Sequence, residues 1–261
     1  MVLDSSSESP LNPRHAQARD ALQNQLLAAL PVAEWLRWRP LLEPVELAAE
    51  QVLCESGDTP THLIFPTTAI VSLMYTTQDG ASAEFAVVGN DGVVGVSLFM
   101  GGNATASQAV VQSAGQAFRL RANALNEDLA SAGPALRTML RYIQALIAQV
   151  AQTAMCNRYH SIEQQLSRRL LIGLDRLQSH ELVMTQEGVA NLLGVRREVI
   201  TAAARRLQEA GLIRYRRGHI AVLDRHRLEQ HTCECYAVAK REYDRLLPAP
   251  ARLPVALARA A

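Results

Sequence analysis

The chain has 261 residues, 49% of them hydrophobic, and a formal net charge of +1 at pH 7. That length and apolar content supply a real core and, by size, two domains with a connector. Four cysteines, Cys54, Cys156, Cys233 and Cys235, fit no disulfide framework and suit a reducing compartment, which points to the cytoplasm. The near-zero total conceals an asymmetry. Residues 1–157 hold eight arginines against fourteen Asp and Glu, whereas 158–230 hold thirteen arginines against eight acids, so the second half is the one suited to a polyanion.

In chain order, "MVLDSSSESPLNP" is polar and acidic with no apolar run, and reads as a disordered leader over 1–20, not as a signal peptide. A short helical lead-in around Ala21 to Leu30 follows. From about 44 to 120 the pattern alternates and turns repeatedly. "THLIFP", "AIVSLMY", "AEFAVVG", "QAVVQ" and "QAFRL" are strand candidates, with Gly57-Asp58, Asp79-Gly80 and Asn90-Asp91-Gly92 as turn chemistry between them. This predicts an antiparallel β-roll or sandwich over 21–132.

At Pro134, a favoured first helical residue, the period becomes 3.5. Leu136, Leu140, Ile143, Ile147, Val150 and Ala154 step by 4 and 3 in alternation, a seam of the kind two helices use against each other. A symmetric dimer through a helix over 133–157 is the preferred reading. The alternative is that the stripe packs only on its own β-domain. The least charged stretch, Tyr142 to Asn157, is interrupted by Gln144, Gln149 and Gln152 and is too short to span a bilayer, so no membrane is expected as a partner.

After "SIEQQLSRRLLIGLDRL" and the loop "QSHE", the segment from Thr185 has a helix-turn-helix layout. Ala190 is small enough for two helices to cross, Gly194 can take the positive φ of a short turn, and Ile200 anchors the second helix. Val189, Leu193, Val195 and Ala203 fill other inward positions. A helix entering the major groove buries its apolar side and presents its N-terminal residues to base edges. Arg197 can offer two donors to guanine, Glu198 can accept from cytosine, and Arg196 is placed for a phosphate. "GLIRYRRGHIAVLD" then reads as a hairpin turning at Arg217-Gly218, a wing whose Arg214, Arg216, Arg217 and His219 reach the backbone. With Thr185, Gln186, Thr201 and Arg205, these form the expected DNA-binding set. The competing reading makes Gly194 only a helix cap and the arginines only a solvated face.

A β-roll, a long helix and a winged helix-turn-helix in that order, with "TQEGVANLLGVRREVITAAARRLQEAGLI" at the reading head, resemble the Crp/Fnr family of bacterial transcription regulators. The resemblance covers about residues 30 to 230 and is densest from Cys156 to Asp224, where "CNRYHSIEQQLSRRLL", "LLGVRRE" and "RGHIAVLD" fall in the family order. It implies an α+β chain: an N-terminal cyclic-nucleotide-binding-like β-roll, a dimerisation helix, a winged helix-turn-helix over 158–230, and a C-terminal helix and tail over 231–261. It also implies a homodimer on a two-fold double-stranded DNA operator, with RNA polymerase as a further partner.

Departures from the family pattern bear on mechanism. Where cyclic-AMP-type members carry a second base-reading arginine this chain has Ala202, and Arg196 stands where a serine is usual, so the expected base readout is either narrower than theirs or carried partly by Thr201 and Arg205. Cyclic AMP binding in this fold needs a Gly-Glu start and an Arg-Ser pair to hold ribose and cyclic phosphate. Here Gly95 is followed by Val96, Thr105-Ala106-Ser107 replace the Arg-Ser run, and Val150 and Ala151 replace the adenine-contacting Thr-Ser. Gly95, Val96, Ser97, Thr105 and Ser107 mark the corresponding effector position, and cyclic AMP is not the expected effector. Two routes then stand open: DNA binding without an effector, controlled by protein level, or a different ligand held by Arg119 and Arg121 or at the junction of roll and helix.

His231, Cys233 and Cys235 are soft ligand types, but i and i+2 diverge by about 200° on a helix, so no metal site is expected there if the segment is helical. The N-terminal cysteine cluster of iron-sulfur members is absent, since the first cysteine is Cys54. His62 reads as structural. The chain carries no nucleophile–base spacing, Walker or dinucleotide glycine pattern, so neither an enzyme nor a cofactor is expected. The class that competes with a DNA-binding regulator is a small-molecule or protein-binding module using the winged helix as an interaction surface.

Overall fold

The computed structural model describes residues 20–102, 104–125, 132–177, 181–216 and 218–247. The leader expected over 1–20, apart from Asp20, the wing residue Arg217 and the tail beyond 247 lie outside the described residues.

Alternation between residues 43 and 121 produces seven antiparallel strands: β1 (Glu43–Leu47), β2 (Val52–Cys54), β3 (His62–Pro66), β4 (Ile70–Thr76), β5 (Ser82–Val88), β6 (Gln108–Ser113) and β7 (Gly115–Arg121). They form two sheets, ordered β1-β7-β3 and β2-β6-β4-β5. Leu63, Phe65, Phe118 and Leu120 of the first share one apolar core with Leu73, Val88, Ala109 and Val111 of the second. Burying each such large side chain contributes about 1.5–3 kcal/mol. β3 to β7 match the strands expected from the sequence; β1 and β2 were not foreseen. β1 reads "EPVEL", with two glutamates and a proline, and it is tolerated because it lies at a sheet edge, where a missing N–H need not face a neighbour.

The lead-in is two short helices, α1 (Gln25–Ala28) and α2 (Val32–Trp38), where one was expected. Asn24 organises the start of this segment. Its Oδ1 accepts from the N–H groups of Leu26 and Leu27, each at 3.1 Å, while Nδ2 donates to the carbonyls of Pro66 and Gly92 at 2.8 and 2.9 Å. The cap therefore also docks the helix on the roll, and α2 seats Trp35 and Trp38 in its core.

Helix α3 (Pro134–Tyr159) opens with proline in its first turn and runs 26 residues, about 39 Å at 1.5 Å per residue. Met139, Tyr142, Ile143 and Leu146 bury against the roll. The Tyr142 hydroxyl donates to the Val93 carbonyl at 3.1 Å and Gln149 Nε2 donates to that of Val87 at 3.2 Å. Ser161 and Gln164 form a reciprocal capping box that starts α4 (Ile162–Arg176) directly after α3.

The second apolar cluster joins α4, α5 (Gln186–Leu193), α6 (Arg197–Glu209) and a small sheet of order β8-β10-β9, made from Glu181–Val183, His219–Val222 and Ile213–Arg216 respectively. Ile70, Met74 and Val87 of the roll belong to this same cluster, so the second module rests on the first. Two buried ion pairs reinforce the contact, Arg169–Glu84 at 2.6 Å and Arg176–Asp91 at 2.7 Å. The chain continues as α7 (Arg225–His231) and α8 (Glu234–Leu246), the latter packed against α3 and α4. Among the described residues no helix is long and apolar enough to cross a membrane.

Candidate nucleic-acid interface and sensor cavity

The reading head is built from local signals. Thr185 caps α5, its Oγ1 accepting from Gly188 N–H at 2.9 Å. Gly194 ends the helix at φ 64°, ψ 35°, which L side chains rarely adopt, and a Cβ there would stand 3.3 Å from the Ala83 Cβ on β5. Val195 N–H returns to the Ala190 carbonyl at 3.0 Å, and α6 begins two residues later.

Helix α6 buries Ile200, Ala203, Ala204 and Leu207, and leaves Arg197, Glu198, Thr201 and Arg205 exposed, with Arg196 exposed just before it. Glu198 in the first turn also complements the positive helix end. The Thr201 hydroxyl donates to Gln186 Oε1 at 2.8 Å, which fixes the outer edge of α6 on the start of α5. Arg205 pairs with Glu209 at 2.8 Å on its own helix, and Arg206 pairs with Glu163 of α4. Arg214, Arg216 and His219 are exposed on the wing strands, so the residues expected to contact DNA, Arg217 aside, stand on the α5 start, the α6 outer face and the wing. Tyr215 was missed from sequence. Its N–H donates to Gln208 Oε1 at 2.8 Å and its hydroxyl to the Met184 carbonyl at 3.1 Å, clamping wing to helix.

The roll encloses a cavity of about 410 Å³ whose lining includes all five expected effector positions, Gly95, Val96, Ser97, Thr105 and Ser107. Gly95 sits at φ 98°, and a Cβ there would meet the His62 carbonyl at 2.9 Å. The Thr105 and Ser107 hydroxyls face each other at 3.1 Å, a separation at which they satisfy one another. Arg119 also lines the space, but its guanidinium is held by Glu43 at 2.7 Å, and Arg121 approaches the same carboxylate at 3.6 Å. Burial, then Arg119 and Arg121, depress the His62 pKa below its ordinary value. His62 Nε2 and Ser97 Oγ are buried without a protein partner.

The expected dimer seam divides between two surroundings. Ile143 is 8% exposed within the roll core, and Leu136 and Val150 pack partly against it, so these three face their own domain. Leu140 and Ile147, 50% and 61% exposed, stand with Ala154 and Met155 on the free side. A six-residue seam facing a partner is therefore corrected to its outward half, because α3 is apolar on two sides and the roll takes one of them.

A second correction concerns the C-terminal cysteines. His231 Nδ1 lies 3.2 Å from Ser167 Oγ on α4, apart from Cys233 and Cys235. Cys233 precedes α8 in an extended conformation, φ −83° and ψ 165°, so the helical divergence expected between it and Cys235 does not arise. Both thiols instead meet Cys156 and His160 at the end of α3.

A β-roll joined through one long helix to a winged helix-turn-helix is the architecture of a transcription regulator. Family models match in the same order: a cyclic nucleotide-binding domain over residues 44–131 and a Crp-like helix-turn-helix domain over residues 164–231. The chain belongs to the Crp/Fnr family of transcription regulators. No curated protein matches the sequence. Among solved structures, a protein from Eubacterium rectale described as a Crp/Fnr-family transcriptional regulator is 20% identical with a TM-score of 0.61, over 78% of this chain and 96% of that one. FixK2 from Bradyrhizobium japonicum is 14% identical with a TM-score of 0.61, over 74% and 98%. The c-di-GMP-responsive global regulator CLP of Xanthomonas campestris is 15% identical with a TM-score of 0.59, over 74% and 100%. At these identities the likeness establishes the fold.

Proposed function

We propose that the chain is a sequence-specific DNA-binding regulator that acts as a homodimer on a two-fold operator. The observation that carries this reading is the division of α6, whose apolar residues are buried while Arg197, Glu198 and Thr201 stand exposed in its N-terminal half, with Arg205 one turn further along the same outer face. In a major groove Arg197 offers paired donors to guanine O6 and N7, Glu198 accepts from cytosine N4, and Arg196 with Arg214 and Arg216 holds phosphates. The outward stripe of Leu140, Ile147 and Met155 is the surface on which a second copy sets two heads about 34 Å apart.

The proposed organisation is a sensor roll to about residue 132, a dimer helix, a winged helix-turn-helix to about residue 230 and a C-terminal extension. RNA polymerase is the further partner this reading implies, and the cytoplasm the location. The effector is not cyclic AMP, because the cavity-lining Thr105 and Val96 replace the cation and carboxylate that would hold it, and Arg119 is committed to Glu43.

Selecting bound fragments from random duplex DNA with the purified protein tests the reading. A two-fold symmetric consensus with half-sites one helical turn apart is expected. Binding without sequence preference, or with a flat salt dependence, would overturn it in favour of an interaction module.

A further inference from the structure

Three of the four cysteines and one histidine converge where α3 ends, outside both large cores. Cys156 lies in the last turn of α3, and His160, four residues on, is its C-cap, its N–H donating to the Cys156 carbonyl at 3.1 Å. Cys233, immediately before α8, and Cys235, in its first turn, approach from the other side. The Cys156 and Cys233 sulfurs are 3.5 Å apart, Cys235 Sγ lies 3.6 Å from His160 Nδ1, and the four donor atoms all lie within 4.8 Å of one another. All three cysteines are buried and form a separate cluster.

That geometry matches one ion. Tetrahedral bonds of about 2.3 Å place sulfurs about 3.8 Å apart, close to the spacing observed here, and leave no room between the donors for an iron-sulfur cluster. The surroundings match as well. His160 turns Nδ1 towards the thiols and Nε2 towards the Glu234 carboxylate at 3.4 Å, the arrangement in which a carboxylate fixes the tautomer of a metal-bound imidazole. The Arg168 side chain is buried beside the three sulfurs and donates to Thr153 Oγ1 at 3.0 Å, while its Nε has no protein partner. Three thiolates and a neutral imidazole around a divalent ion carry one net negative charge, which this guanidinium offsets.

We propose that Cys156, His160, Cys233 and Cys235 bind a single zinc ion in a structural Cys3His site. Binding forms three S–Zn bonds and one N–Zn bond and releases three thiol protons to solvent, with no change of oxidation state. Because His160 caps the end of α3 and Ser161 starts α4, the ion ties the α7–α8 extension to the joint between the proposed dimer helix and the reading head. This inference does not depend on the function proposed above.

The test uses the full chain, purified with reductant, loaded with zinc, freed of excess by gel filtration and assayed by elemental analysis. Cobalt(II) is then substituted and the visible spectrum recorded. One ion per chain is expected, with intense tetrahedral cobalt bands and thiolate-to-cobalt charge transfer. Cys156→Ser and Cys235→Ser should each abolish those bands. Glu234→Gln, at an exposed position that leaves the core untouched, should weaken zinc binding about 10-fold or more, whereas His231→Ala should leave it unchanged. Less than half an ion per chain in the reduced protein would overturn the site. So would cobalt bands that survive Cys156→Ser, or a Cys156–Cys233 disulfide whose reduction brings no metal uptake.

Discussion

Arg169 of α4 and Glu84 of β5 form an ion pair at 2.6 Å across the contact between roll and reading module, with both side chains almost fully buried. Arg169 Nη2 also donates to Glu84 Oε2 at 3.0 Å, and the same carboxylate accepts from the Ser72 hydroxyl. Removing one partner leaves the other charge desolvated and alone. Glu84→Ala is therefore expected to lower unfolding stability by about 3–5 kcal/mol, whereas Glu84→Leu combined with Arg169→Met should recover most of that loss. Urea unfolding of the two variants and the wild type measures it; a Glu84→Ala variant as stable as the wild type would mean that the modules are held by apolar contact alone.

For the reading head, Arg197→Ala should weaken operator binding by about 1–3 kcal/mol per half-site and relax preference at one G·C pair. Arg216→Ala on the wing should weaken binding evenly across sequences and reduce the salt slope by about one. Fluorescence anisotropy on operator and random duplexes separates the two. Equal losses on both DNAs in the Arg197 variant would remove it from base reading.

The outward and inward sides of α3 predict different failures. Leu140→Asp with Ile147→Asp places like charges in the proposed helix–helix seam and should yield folded monomers that no longer hold the operator. Ile143→Asp instead buries a lone carboxylate in the roll core and should destabilise the fold by about 3–5 kcal/mol. Sedimentation and thermal melting run together distinguish them, and a Leu140/Ile147 double variant that remains dimeric would move the interface elsewhere.

Cyclic AMP should change neither melting temperature nor operator affinity. Its phosphate would lie among Val96, Thr105 and Ser107 with Arg119 already paired to Glu43, so its charge would be desolvated without compensation. Calorimetric titration checks this directly, and micromolar binding with a matching shift in operator affinity would refute it.

The reading head was legible because its signals are local: a small Ala190 at the crossing, a glycine at the positive-φ turn position 194, and Ile200 and Ala203 at helical spacing from each other all act within twenty residues. Strands β3 to β7 were legible for the same reason, since alternation and turn residues are short-range. What the apolar residues of α3 face was not legible. Leu140, Ile143 and Ile147 are alike in hydrophobicity and all fit a seam, and only the roll packed against one side of the helix separates Ile143 from the other two.

Partners far apart in the chain lay further out of reach. Arg169 and Glu84 are separated by 85 residues and Cys156 and Cys233 by 77, and no periodicity encodes such a meeting. Helical spacing even argued against Cys233 acting with Cys235, because it assumed a helix that begins one residue later than Cys233. The sequence by itself determined strands β3 to β7, the long helix, the helix-turn-helix and their order, and the residue types along the reading helix, through propensities and patterns that operate over a few turns. The tertiary structure alone decided which apolar face is free, which charges are paired in the interior and which cysteines meet, because those depend on surfaces that exist only once the modules have packed.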